Sequence, residues 1–117
     1  MYPPAPALPE ILRQHAEQAA LLWTLYDQAM LDPAANPEMD ALRIARLLER
    51  LEAHLDGLRI AGAEGLRIAQ THFADYPEAG ELFVLRMLQP GAEDLRVATL
   101  DLEKVRAYLA SRLDQPP

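Results

Sequence analysis

The feature that most constrains this chain is an apolar period of 3.6 residues sustained over two long stretches. From Ile11 the residues Leu12, Ala16, Ala19, Leu22, Trp23, Tyr26 and Met30 recur on one helical face for about five turns, with His15 among them. Ile44, Leu47, Leu48, Leu51, Leu55 and Leu58 form a second stripe. Two such amphipathic helices cannot bury their faces alone, so further helices must pack against them. At 117 residues, half of them hydrophobic and a quarter charged, the chain has the length and balance for one compact folded domain.

Breakers divide the rest. Pro9 pre-sets the first turn of helix one, and the segment 32–37 is a turn in which Asn36 and Pro37 read as N-cap and first residue of helix two. Gly62 and Gly65 bracket a break before a shorter helix that carries Leu66, Ala69, Phe73 and Tyr76 and ends ahead of Pro77. Glu78 to Gln89 makes a fourth helix, apolar almost all round from Leu82 to Leu88. The runs 82–88 and 95–100 also fit two strands of a hairpin, because short apolar runs do not discriminate period; the helical flanks favour helix. A last helix runs from Leu102 to Leu113 with Asp101 as N-cap, packing through Val105, Tyr108 and Leu109.

The expected organisation is a proline-rich arm over 1–9, a single helical domain over 10–113 and a short tail over 114–117. The fold class is all-α, with short antiparallel helices arranged as an α-solenoid of HEAT-like units or as a compact bundle. Recurrence of an aliphatic-Arg-aliphatic-Ala element at 42–45, 58–61, 66–69 and 95–98 favours the solenoid, although its spacing is irregular.

Several function classes fall away. There is no cysteine, which removes disulfides, thiolate catalysis and cysteine-held metals. His15, His54 and His72 lie on three separate helices without metal-ligand spacing, so neither a metal site nor any other cofactor is expected. His15, on the buried face of helix one, reads as a core or boundary histidine. Gly57, Gly62 and Gly65 follow no strand and make no phosphate loop. His72 with Asp75 is the one acid–base pairing within reach, without a nucleophile beside it, and an enzyme is the least favoured reading. No secretory leader pattern and no run of about 20 apolar residues occurs, so a soluble, cytoplasmic protein is expected.

Charge is what remains. The formal net charge is -7. Asp75, Glu78, Glu81, Glu93, Asp94, Asp101 and Glu103 against Arg86 and Arg96 give residues 75–103 a charge of -5. Phosphate backbones and anionic membranes repel such a surface, whereas a basic protein is attracted to it. On helix two Arg43, Arg46, Arg50 and His54 flank the apolar stripe on one side, and Glu49, Glu52 and Asp56 on the other. A solvated helix edge with pairs such as Arg46–Glu49 and Asp56–Arg59 explains this without any partner. Leu21 and Leu25 form a second, narrower apolar stripe on helix one. Packing against another helix is its first expectation, and a partner contact the second. The candidate partner-binding residues are Glu49, Glu52, Asp56, Asp75, Glu78, Glu81, Glu93 and Asp94, with Leu21 and Leu25 as apolar companions.

The stretches LRQHAEQAALLW at 12–23 and LEAHLDGLRIAG at 51–62 resemble the N-terminal region of HEAT-repeat-like bacterial proteins associated with type VI secretion genes. HLDGLR at 54–59 is the most specific part, and YPEAGELF at 76–83 also matches, so the resemblance spans roughly residues 10–85. Family members continue into further helical repeats, and on that comparison this chain is a short member or a fragment. The resemblance transfers no catalytic motif. It implies a protein that works beside a secreted toxin: an immunity protein that binds and neutralises it, with a basic nuclease as the first candidate, or an effector-loading adaptor or scaffold.

Overall fold

A computed structural model describes residues 8–114. Among them every regular element is helical: α1 (Leu8–Leu31), α2 (Ala41–Ile60), α3 (Ala63–Asp75), α4 (Ala79–Met87) and α5 (Leu102–Leu113), with single 3-10 turns at Pro33–Ala35 and Val97–Thr99. The all-α expectation holds. Residues 82–88 are helix and its cap, and 97–99 a 3-10 turn, so the hairpin alternative is excluded.

Of the two architectures, the molecule adopts the bundle. α1 lies against α2, α3 and α4 together, whereas units of a solenoid touch only their neighbours in sequence. The reason is in α1 itself, which buries Leu12, Ala16, Ala19, Ala20, Leu22, Trp23 and Ala29, a face too broad for one partner helix. Four small alanines let the neighbouring backbones approach. α2 contributes Leu47, Leu51, Leu55 and Leu58, and α4 contributes Leu82, Phe83, Val84 and Met87. Trp23 stacks on Phe83 with ring centroids 5.0 Å apart and planes 19° from parallel. Burial of each large side chain in this cluster stabilises by about 1.5–3 kcal/mol before the entropy of ordering is counted.

The four aliphatic-Arg-aliphatic-Ala segments are not structural repeats. Leu42 is exposed near the start of α2, Leu58 is fully buried near its end, the third copy lies on α3, and the fourth is loop and 3-10 turn.

Element boundaries differ from the sequence reading at several places, and the fourth helix is Ala79–Met87 against an expected 78–89. α1 begins at Leu8, so Leu8 and Pro9 belong to the helix and the rest of the expected arm, 1–7, lies outside the described residues. At the other end Asp114 caps α5, and the rest of the expected tail, 115–117, lies outside them too. Helix two does not start at Pro37. The 3-10 turn 33–35 uses Asn36, whose backbone N–H bonds to the Pro33 carbonyl and whose side-chain amide donates to the Asp32 carbonyl. Asp40 caps α2 instead, accepting the Arg43 N–H at 2.9 Å. Ala61 and Gly62, the latter with φ +61°, form the α2–α3 joint, and Gly65 sits buried inside α3. A Cβ on Gly65 would lie 2.0 Å from the Leu58 carbonyl oxygen, so its lack of a side chain lets α3 turn back tightly on the end of α2. Asp101 caps α5 as expected, accepting the backbone N–H groups of Glu103 and Lys104.

α5 attaches more lightly than the rest. It packs on α4 and is joined to α1 by Arg106, whose Nε donates to Asp27 Oδ1 at 2.6 Å.

Candidate functional site

The acidic edge of α2 becomes one wall of an open groove of about 530 Å³. Glu49, Glu52 and Asp56 line it from α2, together with Ala45, Leu48 and Ala53, and Arg96 and Ala98 close it from the segment before α5. Helical spacing accounts for the α2 wall: positions 45, 48, 49, 52, 53 and 56 rise along one face at steps of three and four. What builds the opposite wall is Glu52. Its Oε1 accepts the backbone N–H of Val97, and its Oε2 pairs with Arg59 Nη1 at 3.0 Å. Arg59 also meets Asp56 Oδ1 at 2.9 Å, and its Nη2 donates to the Leu95 carbonyl at 3.3 Å. One carboxylate and one guanidinium thus tie residues 95–97 to α2.

Of the three acidic candidates on α2, Glu52 is the one with both carboxylate oxygens engaged within the fold. Its side chain is only 18% exposed and its oxygens are spent inside the fold. Asp56, 49% exposed, retains an outward-facing side, and Glu49 is exposed. The expected Asp56–Arg59 pair is present. Arg46 and Glu49 form no ion pair among the described residues.

The remaining acidic candidates do not converge on the groove. Asp75 borders a separate depression of about 170 Å³ with Arg13, Glu17, His72 and Tyr76. Glu78 precedes α4 and Glu81 lies in its first turn. Glu93 folds back to accept the Gly91 N–H at 2.9 Å, and hydrogen bonds from backbone N–H groups hold its carboxyl below the usual range. Asp94 is exposed in the same loop. The charge of -5 counted along residues 75–103 is therefore spread over several faces.

Leu21 and Leu25 lie on the solvent side of α1, 51% and 43% exposed. No described helix covers them, so the first expectation, packing within the bundle, is overturned: the three faces that α1 buries leave this ridge outward. His72 packs edge-on against Tyr76, with centroids 5.4 Å apart, and is not hydrogen-bonded to Asp75 among the described residues. Among those residues no group of three His, Cys, Asp or Glu side chains is placed to hold a metal, and no helix is long and apolar enough to cross a membrane.

Sequence reasoning missed two arrangements. One is the pairing of His15 with His54 across α1 and α2, Nδ1 to Nδ1 at 2.9 Å. The sequence places each on its helix but does not give the register between the helices. The other is a cationic cleft between α4 and α5, lined by Arg86, Lys104, Tyr108 and Arg112. Its signal was the positive balance after residue 103, set against an otherwise acidic chain. No protein-family model matches the chain, and no curated protein or solved structure matches it.

Proposed function

We propose that this chain is a protein-binding module that receives a basic segment of a partner in the groove along α2. The observation that carries the reading is the make-up of that groove: the exposed carboxylate of Glu49 and the outward side of Asp56, which also pairs with Arg59, beside an apolar floor of Ala45, Leu48, Ala53 and Ala98, with Arg96 on the other wall and Glu52 tying the two walls together. Complementary charge accelerates capture, and an apolar floor that loses water on contact supplies the affinity that charge alone does not. A pre-formed groove also lowers the ordering cost of binding.

Joined to the resemblance to type VI secretion-associated proteins, the reading becomes an immunity protein that sequesters a basic toxin, a nuclease first among them, in the cytoplasm of the producing cell. The groove supports the protein-binding class of that reading. An effector-loading adaptor is the second reading, favoured by the bare Leu21–Leu25 ridge, which suits an apolar dock away from the acidic groove.

Co-purification with mass spectrometry, followed by assay of the captured toxin with and without the chain, tests the reading. An immunity protein abolishes the toxin's activity at one-to-one stoichiometry. An adaptor binds and leaves it intact, and capture that survives Glu49→Lys with Asp56→Lys undiminished removes the groove from the account.

A further inference from the structure

We infer that the cleft between α4 and α5 is a binding site for a small amphiphile, a carboxylate carried on a short apolar chain. Two adjoining cavities, of about 200 and about 630 Å³, share Arg86 and Tyr108. The smaller is walled by Phe83, Met87, Leu95, Leu100, Val105 and Leu109, with Arg86 and Lys104 as its charged lining residues among those described. The larger adds Arg112 and is lined also by Phe73, Leu82, Leu85, Gln89 and Pro90. The guanidinium carbons of Arg86 and Arg112 lie 5.6 and 5.5 Å from the centroid of the same Tyr108 ring.

The charge pattern points to the ligand. Among the described residues, neither cavity is lined by an acidic side chain, and none of Arg86, Lys104 and Arg112 makes an ion pair. In a chain of net charge -7, acids are plentiful elsewhere, yet three cations gather at one cleft with only a phenol ring between two of them. Their mutual repulsion is relieved by an anion at the mouth. A guanidinium fork beside an ammonium matches a carboxylate, with charge-assisted hydrogen bonds. The apolar walls behind require that the anion bring a hydrophobic tail, since a bare anion leaves that surface wet. The site shares no residue with the α2 groove, so either can fail without the other.

Calorimetric titration of the full chain with octanoate, octylammonium and 1-octanol tests the assignment, with Arg86→Gln, Lys104→Gln and the cavity-filling Val105→Phe as variants. Octanoate should bind saturably, and the other two amphiphiles about tenfold or more weaker. Each charge-removing variant should weaken octanoate by about tenfold or more, as loss of a charge-assisted bond dictates. Val105→Phe should block it while the helical circular dichroism stays intact. Amide shifts on octanoate addition should fall on α4 and α5. Equal binding of octanol, no saturable binding, indifference to Arg86→Gln and Lys104→Gln, or an acidic peptide that binds the cleft where octanoate does not, would each overturn the proposal.

Discussion

Nδ1 of His15 on α1 faces Nδ1 of His54 on α2 at 2.9 Å, the rings 5.2 Å apart and tilted by 55°. Gly57 makes room for the pair, because a Cβ there would lie 2.7 Å from His15 Nε2. One nitrogen donates and the other accepts, so the contact holds a single proton. Adding a second places two N–H groups head to head across the α1–α2 interface. The sequence put His15 on a buried face, and the structure supplies the partner that satisfies it.

Burial first, then the charges of His15 and Arg50, hold His54 below the usual histidine range. A base depressed in the folded state contributes its full stability above the unfolded histidine value of about 6.5, and loses it as pH falls through the lower folded value. The melting temperature should therefore be level above about pH 7 and decline toward pH 5. In His54→Gln that decline should shrink. An identical pH profile for the variant would show that the pair carries no linkage.

Glu52 and Glu49 stand one turn apart on α2 and should behave differently. Glu52→Gln leaves Arg59 and the Val97 N–H poorly matched in a part-buried setting, at a cost of about 1–3 kcal/mol in urea unfolding. Glu49→Gln should be indistinguishable from the parent, since no described contact depends on it. Equal stabilities for the two variants would contradict the pinning role of Glu52.

Much of this was legible in the residues. The 3.6-residue period marked α1 and α2, Asp101 marked the start of α5, and the acidic edge 49, 52, 56 marked one wall of the groove. The illegible part was everything set by how helices meet. Arg59 and Glu52 are seven residues apart in sequence, but what they clasp, residues 95–97, comes from a loop with no period of its own. Leu21 and Leu25 looked like a packing stripe because period alone does not say how many faces of α1 are already occupied. Gly65 looked like a break because glycine at a tight helix approach and glycine at a turn are the same letter.

Gly65→Ala tests the close approach. The added methyl meets the Leu58 carbonyl and forces α3 away from α2, which should cost about 1–3 kcal/mol with helical content retained. A neutral substitution would mean that the α2–α3 joint yields without strain.

Leu21→Ser with Leu25→Ser should change unfolding free energy by no more than about 0.5 kcal/mol, as expected for exposed positions. Loss of partner capture in that variant would assign the ridge to the interface, as the adaptor reading requires; unchanged capture would leave it as bare surface. A large loss of stability would show that the ridge is covered.

The groove itself is tested most directly by the association rate of the captured partner, measured across low and moderate salt for the parent chain and for Glu49→Lys with Asp56→Lys. Both substitutions spare the Glu52 link to Val97, but Asp56→Lys also removes the Arg59–Asp56 pair, so the rate reports the surface once Glu49→Lys alone shifts it in the same direction and the double variant melts as the parent does. The account predicts slower association and a shallower salt dependence in the variant, because the steering charge has been reversed. Rates and salt slopes that match the parent's would contradict it, leaving the acidity of α2 without a role in recognition.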